Sequence, residues 1–166
     1  MIHKSLKSYL LNCFVLTMPV LIWNIALSQK LPQSFQPETF WHQIPSLLTY
    51  GENVSRLLVF ILAALMPITY SWKHQIQGWG IYLAGIALYF SSWLMLIFLP
   101  TSLWSQSLVG FMAPAYTPFI WLMGIASIGD SYYFNLPFKK WFFVAASLFF
   151  LIFHNEHTYL IFVRTH

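Results

Sequence analysis

From His74 to Gly129 the chain holds no Asp, Glu, Lys or Arg. So long an uncharged stretch has no stable place in water unless other protein wraps it. A chain of 166 residues is too small to supply that wrapping. Across the whole chain 58% of residues are hydrophobic and only 7% are charged, whereas an ordinary soluble domain is about a quarter charged. The sequence therefore predicts a polytopic membrane protein and excludes a soluble enzyme or binding domain.

A crossing needs roughly 20 mainly apolar residues. Five segments meet that need, at about 10–28, 53–72, 79–99, 107–128 and 138–163. The expected fold is an all-α, compact bundle of five transmembrane helices forming a single membrane domain over 1–166. Short links join the second helix to the third and the third to the fourth, which makes them antiparallel neighbours. The fifth segment has to run through His154-Asn155-Glu156-His157 to reach full length. The one long connection contains Pro32, Pro37 and Pro45. Within it, residues 37–48 read as a short amphipathic helix lying in the interface.

The net charge is +4, from eight basic residues against Glu38, Glu52, Asp130 and Glu156. The basic residues are dispersed and form no phosphate-binding patch, so nucleic acid is not an expected partner. They set orientation instead. Lys4, Lys7, Lys73, Lys139 and Lys140 fall on one side, and Lys30, Arg56 and Arg164 on the other. The positive-inside rule then expects a cytoplasmic N-terminus and an outer C-terminus, in a bacterial cytoplasmic membrane. Trp72, Trp79, Trp141, Tyr132 and Tyr133 form the expected inner aromatic belt; Trp41, Tyr50, Trp104 and Tyr159 form the outer one. Cys13 is the single cysteine, so neither an intramolecular disulfide nor a cysteine-pair metal or redox site can form. It reads as a small buried hydrophobe.

Small or polar residues mark where helices meet in lipid. At 100° per residue they form stripes at Cys13, Thr17, Asn24 and Ser28; at Glu52, Arg56, Ala63 and Pro67; at Gly80, Ala84, Ala87 and Ser91; and at Gly110, Ala113, Pro114, Thr117 and Gly124.

Polar groups within the hydrocarbon are costly and therefore informative. Glu52 and Arg56 stand four apart with the acid first, the favourable order for a helical ion pair. His154 and His157 share a helical face, a spacing that suits a proton relay or a metal, with Glu156 beside them. Pro114 and Pro118 break the fourth helix and free backbone carbonyls. By topology Asn24, Arg56, the Pro114–Pro118 segment and Glu156 all fall in the outer half. They suggest one outward-facing polar pocket, with Arg56, Glu52, Glu156 and Asn24 as polar groups and Tyr116, Trp41 and Trp104 as walls. No phosphate loop or serine-nucleophile turn appears.

The leading functional expectation is non-enzymatic: binding, or help in transporting, a small or lipid-like ligand, with no cofactor. Membrane lipids are expected partners, as is a membrane protein or a second copy. Two alternatives stand beside it. One is an intramembrane enzyme or metal-binding protein using His154, Glu156 and His157, with His154 and His157 as metal ligands. The other is an accessory subunit of a larger membrane complex.

Overall fold

The computed structural model describes residues 11–68, 72–134 and 140–166. Among these the secondary structure is helical, with no strand beyond one isolated antiparallel bridge between Asn12 and Pro67. Nine α-helices follow in order among the described residues: α1 (Met18–Leu27), α2 (Pro37–Phe40), α3 (Ser46–Leu65), α4 (Trp72–Phe98), α5 (Leu103–Gln106), α6 (Leu108–Phe111), α7 (Ala113–Tyr116), α8 (Pro118–Ile128) and α9 (Trp141–Thr165). Lys4, Lys7 and Lys139 lie outside the described residues, as do the side chains of Trp72 and Lys73. The expected start of the fifth span, at 138, lies outside them too.

Three helical runs are long and apolar enough to cross a membrane: Cys13–Lys30, Ser46–Leu65 and Gln75–Phe98. The first is α1 with a 3-10 turn at each end. Its start is fixed by Asn12, whose side chain accepts from the Phe14 N–H at 3.0 Å. The helix α9 has 25 residues without a break, but the polar turn at His154–His157 lowers its hydropathy.

Several boundaries differ from expectation, and proline explains most of them. The second long helix begins at Ser46, directly after Pro45, and ends at Leu65, before Pro67; the expected span was 53–72. It thereby takes in the last three residues, 46–48, of the expected interfacial helix. Only the single turn α2 remains of that helix, opened by Pro37 at its first position. The fourth segment is not one kinked helix. It is the succession α6, α7 and α8, with Pro114 and Pro118 at the starts of the last two. Neither proline has an N–H to continue the preceding turn.

Two antiparallel pairs carry the packing: α4 with α8, and α3 with α9. The α4–α8 pair is set by glycine. A Cβ on Gly85 would strike the Trp121 backbone nitrogen, and one on Gly124 would lie 2.5 Å from the Tyr82 backbone. Each helix thus presents a glycine to the other's main chain, the close approach that van der Waals packing in lipid rewards. The expected stripe of Gly80, Ala84, Ala87 and Ser91 is instead exposed, and Gly80 has open space beside it. The buried face of α4 is larger: Tyr82, Tyr89, Ser92, Trp93 and Leu96. Small residues marked the contact correctly on the fourth segment, where Gly110, Ala113, Pro114, Thr117 and Gly124 are all buried.

The two ends of the bundle close differently. At one end the main chain makes the closure. The Cys13 N–H donates to the Met66 carbonyl at 2.8 Å, the Ile68 N–H to Leu11 at 3.2 Å, and the Tyr133 N–H to Leu65 at 3.1 Å. Cys13 is fully buried there, wedged where a Cβ on Gly129 would strike its Sγ. Tyr132, expected in an aromatic belt, is buried at this end, and its hydroxyl accepts from the Phe143 N–H. At the other end the connection from Leu31 to Pro45 lies across the helices. Side chains hold it there: Arg164 donates to the carbonyls of His42 and Gln43 at 2.9 and 3.0 Å. The expected outer belt residues Trp41, Tyr50, Trp104 and Tyr159 are all exposed.

The glycine crossing gives a direct test. Gly85→Ala and Gly124→Ala should each destabilise the detergent-solubilised protein by about 1–3 kcal/mol through overpacking. Gly80→Ala should stay within about 0.5 kcal/mol. Thermal unfolding of the three variants reads the difference.

Candidate functional site

Glu52 is the pivot of the side-chain end. It sits in the second turn of α3, is 0% exposed, and both of its oxygens are engaged. Oε1 accepts from Arg56, one turn further along α3, and pairs with His154 Nδ1 at 3.0 Å. Oε2 pairs with His157 Nδ1 at 2.6 Å. The α3–α9 contact makes this possible. Gly51 leaves room for the Phe153 ring, which a Cβ there would meet at 2.6 Å. The helix α9 can therefore bring the turn His154–His157 up to the carboxylate.

The second nitrogen of His157 fixes where its proton lies. Nε2 stands 2.7 Å from the Phe40 carbonyl, and a carbonyl can only accept, so Nε2 carries hydrogen. Nδ1 and Glu52 Oε2 then share one further proton. Either His157 is an imidazolium facing a carboxylate, or a neutral imidazole accepts from a carboxylic acid. In both cases the pair sums to zero charge. Phe40 and Trp41 close over the imidazole, with ring centroids 4.2 and 4.8 Å from it. His157 is fully buried as a result.

The four residues of the turn on α9 divide the work. His154 and His157 go to Glu52. Asn155 donates to the Ala115 carbonyl at 3.2 Å and to Leu151 at 2.7 Å, so it serves the broken segment near Pro118. Glu156 lies on the exposed face. It does not join the expected pocket with Arg56. Arg56 pairs with Glu52 instead, and the two histidines supply the partners from α9. The reason is helical geometry: the face that carries His154 and His157 toward α3 turns Glu156 outward.

Beside this cluster a cavity of about 500 Å³ opens in the middle of the bundle. Every long helix contributes to its wall: Val20 and Asn24 from α1, Val59 and Phe60 from α3, Tyr89 and Trp93 from α4, Trp121 and Leu122 from α8, Phe150 and His154 from α9. Leu31, Phe35 and Phe40 of the long connection cover it. Arg56 reaches it too, its guanidinium 5.5 Å from the centre of the Phe150 ring. Tyr89 crosses to α1 and donates to Asn24 Oδ1 at 2.7 Å. The buried indole N–H of Trp121 has no acceptor among the described residues.

Of the residues expected to bind a ligand, Arg56 and Asn24 line this cavity. Glu52 stands behind Arg56 and His154, and Trp41 stands behind His157. Tyr116 and Trp104 are outside the lining; both are exposed, and the Tyr116 hydroxyl donates to the Val109 carbonyl. His154 and His157, expected as metal ligands, each spend Nδ1 on Glu52. Among the described residues no three His, Cys, Asp or Glu side chains take up a metal-binding geometry. Tyr89, Trp93, Trp121 and Phe150 join the wall without having stood out in the sequence, where they are ordinary members of aromatic-rich segments. The signal for the histidines was present: Glu52 is an acid at a helix entry, and the two imidazoles share the face that reaches it.

Comparison with protein families, with curated proteins and with solved structures yields no match to this chain.

Removing the pivot should be expensive. Glu52→Ala leaves Arg56 and two histidines without their counter-group and should cost about 3–5 kcal/mol. The Glu52→Ala/Arg56→Ala double variant should lose less than the sum of the singles, with a coupling of about 1–3 kcal/mol. Thermal unfolding of the purified variants measures both.

Proposed function

We propose that the chain is a five-span membrane protein whose central cavity binds a small or lipid-like ligand without transforming it. The observation that carries this reading is the cavity itself. Its volume falls within the ordinary range for ligand sites, about 300–1,000 Å³, and its wall is mostly apolar with a few convergent polar groups. His157 supports binding over catalysis, since it is fully buried, has both ring nitrogens engaged and stands outside the cavity lining.

In this reading α1, α3, α4, the broken segment α6–α8, and α9 are the five crossings. The N-terminus is cytoplasmic and the C-terminus outside, so the cavity opens toward the outer leaflet beneath the Leu31–Pro45 connection. Three of the crossings have supporting length and hydropathy of their own. The other two are supported by their packing along α3 and α4.

Two experiments test the proposal. In intact cells, single cysteines introduced at Gln106 and His166 should react with an impermeant thiol reagent added outside, and one at Asp130 should not. Reaction at position 130 alone rejects the orientation. Native mass spectrometry of the gently extracted chain should detect a non-covalent ligand that denaturation releases. Val59→Phe, which fills part of the cavity, should reduce its occupancy. A folded chain that never carries such a mass, with or without the substitution, argues against the binding function.

A further inference from the structure

The charge of the Glu52 cluster identifies the chemical class of the occupant, given the ligand-binding reading above. The Glu52–His157 pair sums to zero wherever the shared proton sits, because the Phe40 carbonyl holds a hydrogen on Nε2. Arg56 is always charged. His154 adds no negative charge. The cluster is therefore net positive by at least one, and Arg56 presents that charge at the cavity wall, its side chain 34% exposed.

No acid on the cavity wall offsets it. The chain has four acidic residues, and none of them lines the cavity. Glu52 is turned away into the cluster, and Glu38, Asp130 and Glu156 are exposed. Hydrogen bonding tilts the same way. One guanidinium nitrogen of Arg56 is spent on Glu52, which leaves further N–H donors. The Trp121 indole N–H lacks an acceptor among the described residues, and Asn24 spends its oxygen on Tyr89 and keeps its amide N–H groups. Thr17 and Thr158 already donate their hydroxyl protons to backbone carbonyls. The unspent donors at this wall therefore come from Arg56, Trp121 and Asn24, beside a cluster whose net charge is positive, in otherwise apolar surroundings where such a charge is costly.

We propose that the occupant is an amphiphile with an anionic oxygen head, a carboxylate or phosphate, on a hydrocarbon tail, and that Arg56 is the residue that pairs with the head. Glu52 and His157 are positioning residues. They hold Arg56 and the Phe40 cover in place and do not touch the ligand. The head supplies the missing counter-charge and acceptors, and the tail occupies the space between Val59, Trp93 and Leu122.

The test uses the full chain in neutral detergent with four single-chain probes: hexadecanoate, hexadecyl phosphate, hexadecanol and hexadecyltrimethylammonium. Binding is read by native mass spectrometry and by the shift in thermal unfolding. The two anions should bind at least about tenfold more tightly than the alcohol, as one added charge-assisted hydrogen bond to Arg56 requires, and the cation should bind least. Arg56→Gln should abolish that preference and leave alcohol binding in place, whereas Arg56→Lys should retain it. If Arg56→Gln does not fold, the ratio of carboxylate to alcohol affinity in the native chain decides the matter. Equal affinity for alcohol and carboxylate, or a preference that survives Arg56→Gln, overturns the anionic head and leaves the binding cavity standing. A folded chain that binds none of the probes overturns both. In nanodiscs, protection by two-chain phosphatidate above that by hexadecanoate assigns the head to a membrane phospholipid; the reverse order assigns it to a free single-chain acid.

Discussion

A buried carboxylate with three partners organises one whole end of this protein. Glu52 ties α3 to α9 through His154 and His157, holds Arg56 at the cavity wall, and reaches the long connection through His157 and the Phe40 carbonyl. In an apolar setting each of these bonds is worth most when all are made, because a lone member would be left charged or unpaired. Helix packing, loop placement and cavity electrostatics therefore share a single origin.

The cavity follows from how the helices pair. Glycine lets α4 and α8 approach until backbone meets backbone, and Gly51 lets α3 and α9 close on the Phe153 ring. Two tight pairs do not fill the space between them. Large side chains line the gap, and the Cys13–Lys30 run spans it through hydrogen bonds from Tyr82 to the Leu16 carbonyl and from Tyr89 to Asn24. The tightness of the pairs and the openness of the centre are two sides of one arrangement.

Much of the helical content was legible in the sequence, because apolar length alone marks it. Boundaries were less so. Pro45, Pro67, Pro114 and Pro118 decide them, and the same residue type starts one helix and ends another according to what precedes it. The small-residue rule worked on the fourth segment and failed on α4. There Gly85 and the aromatic Tyr82, Tyr89 and Trp93 form the contact, and the Gly80 stripe faces out. Residue size does not reveal which face meets a partner when bulky side chains can bridge a gap. The site was half legible. Glu52, Arg56, His154 and His157 stood out as polar groups in an apolar chain, but their joining in one cluster depends on the register of α3 against α9. That register is set by Phe153 against Gly51, a contact between distant positions that no local pattern records.

Tyr82 and Tyr89 lie two helical turns apart on α4, and their hydroxyls reach Leu16 and Asn24 on the same neighbouring run. Two directional bonds spaced along one axis fix rotation as well as distance. Oily contact alone would let α1 roll about its own length at little cost. With both hydroxyls engaged, and hydrocarbon unable to take over either bond, α1 is keyed like a shaft in a slot, and the side of it that faces the cavity is always the same.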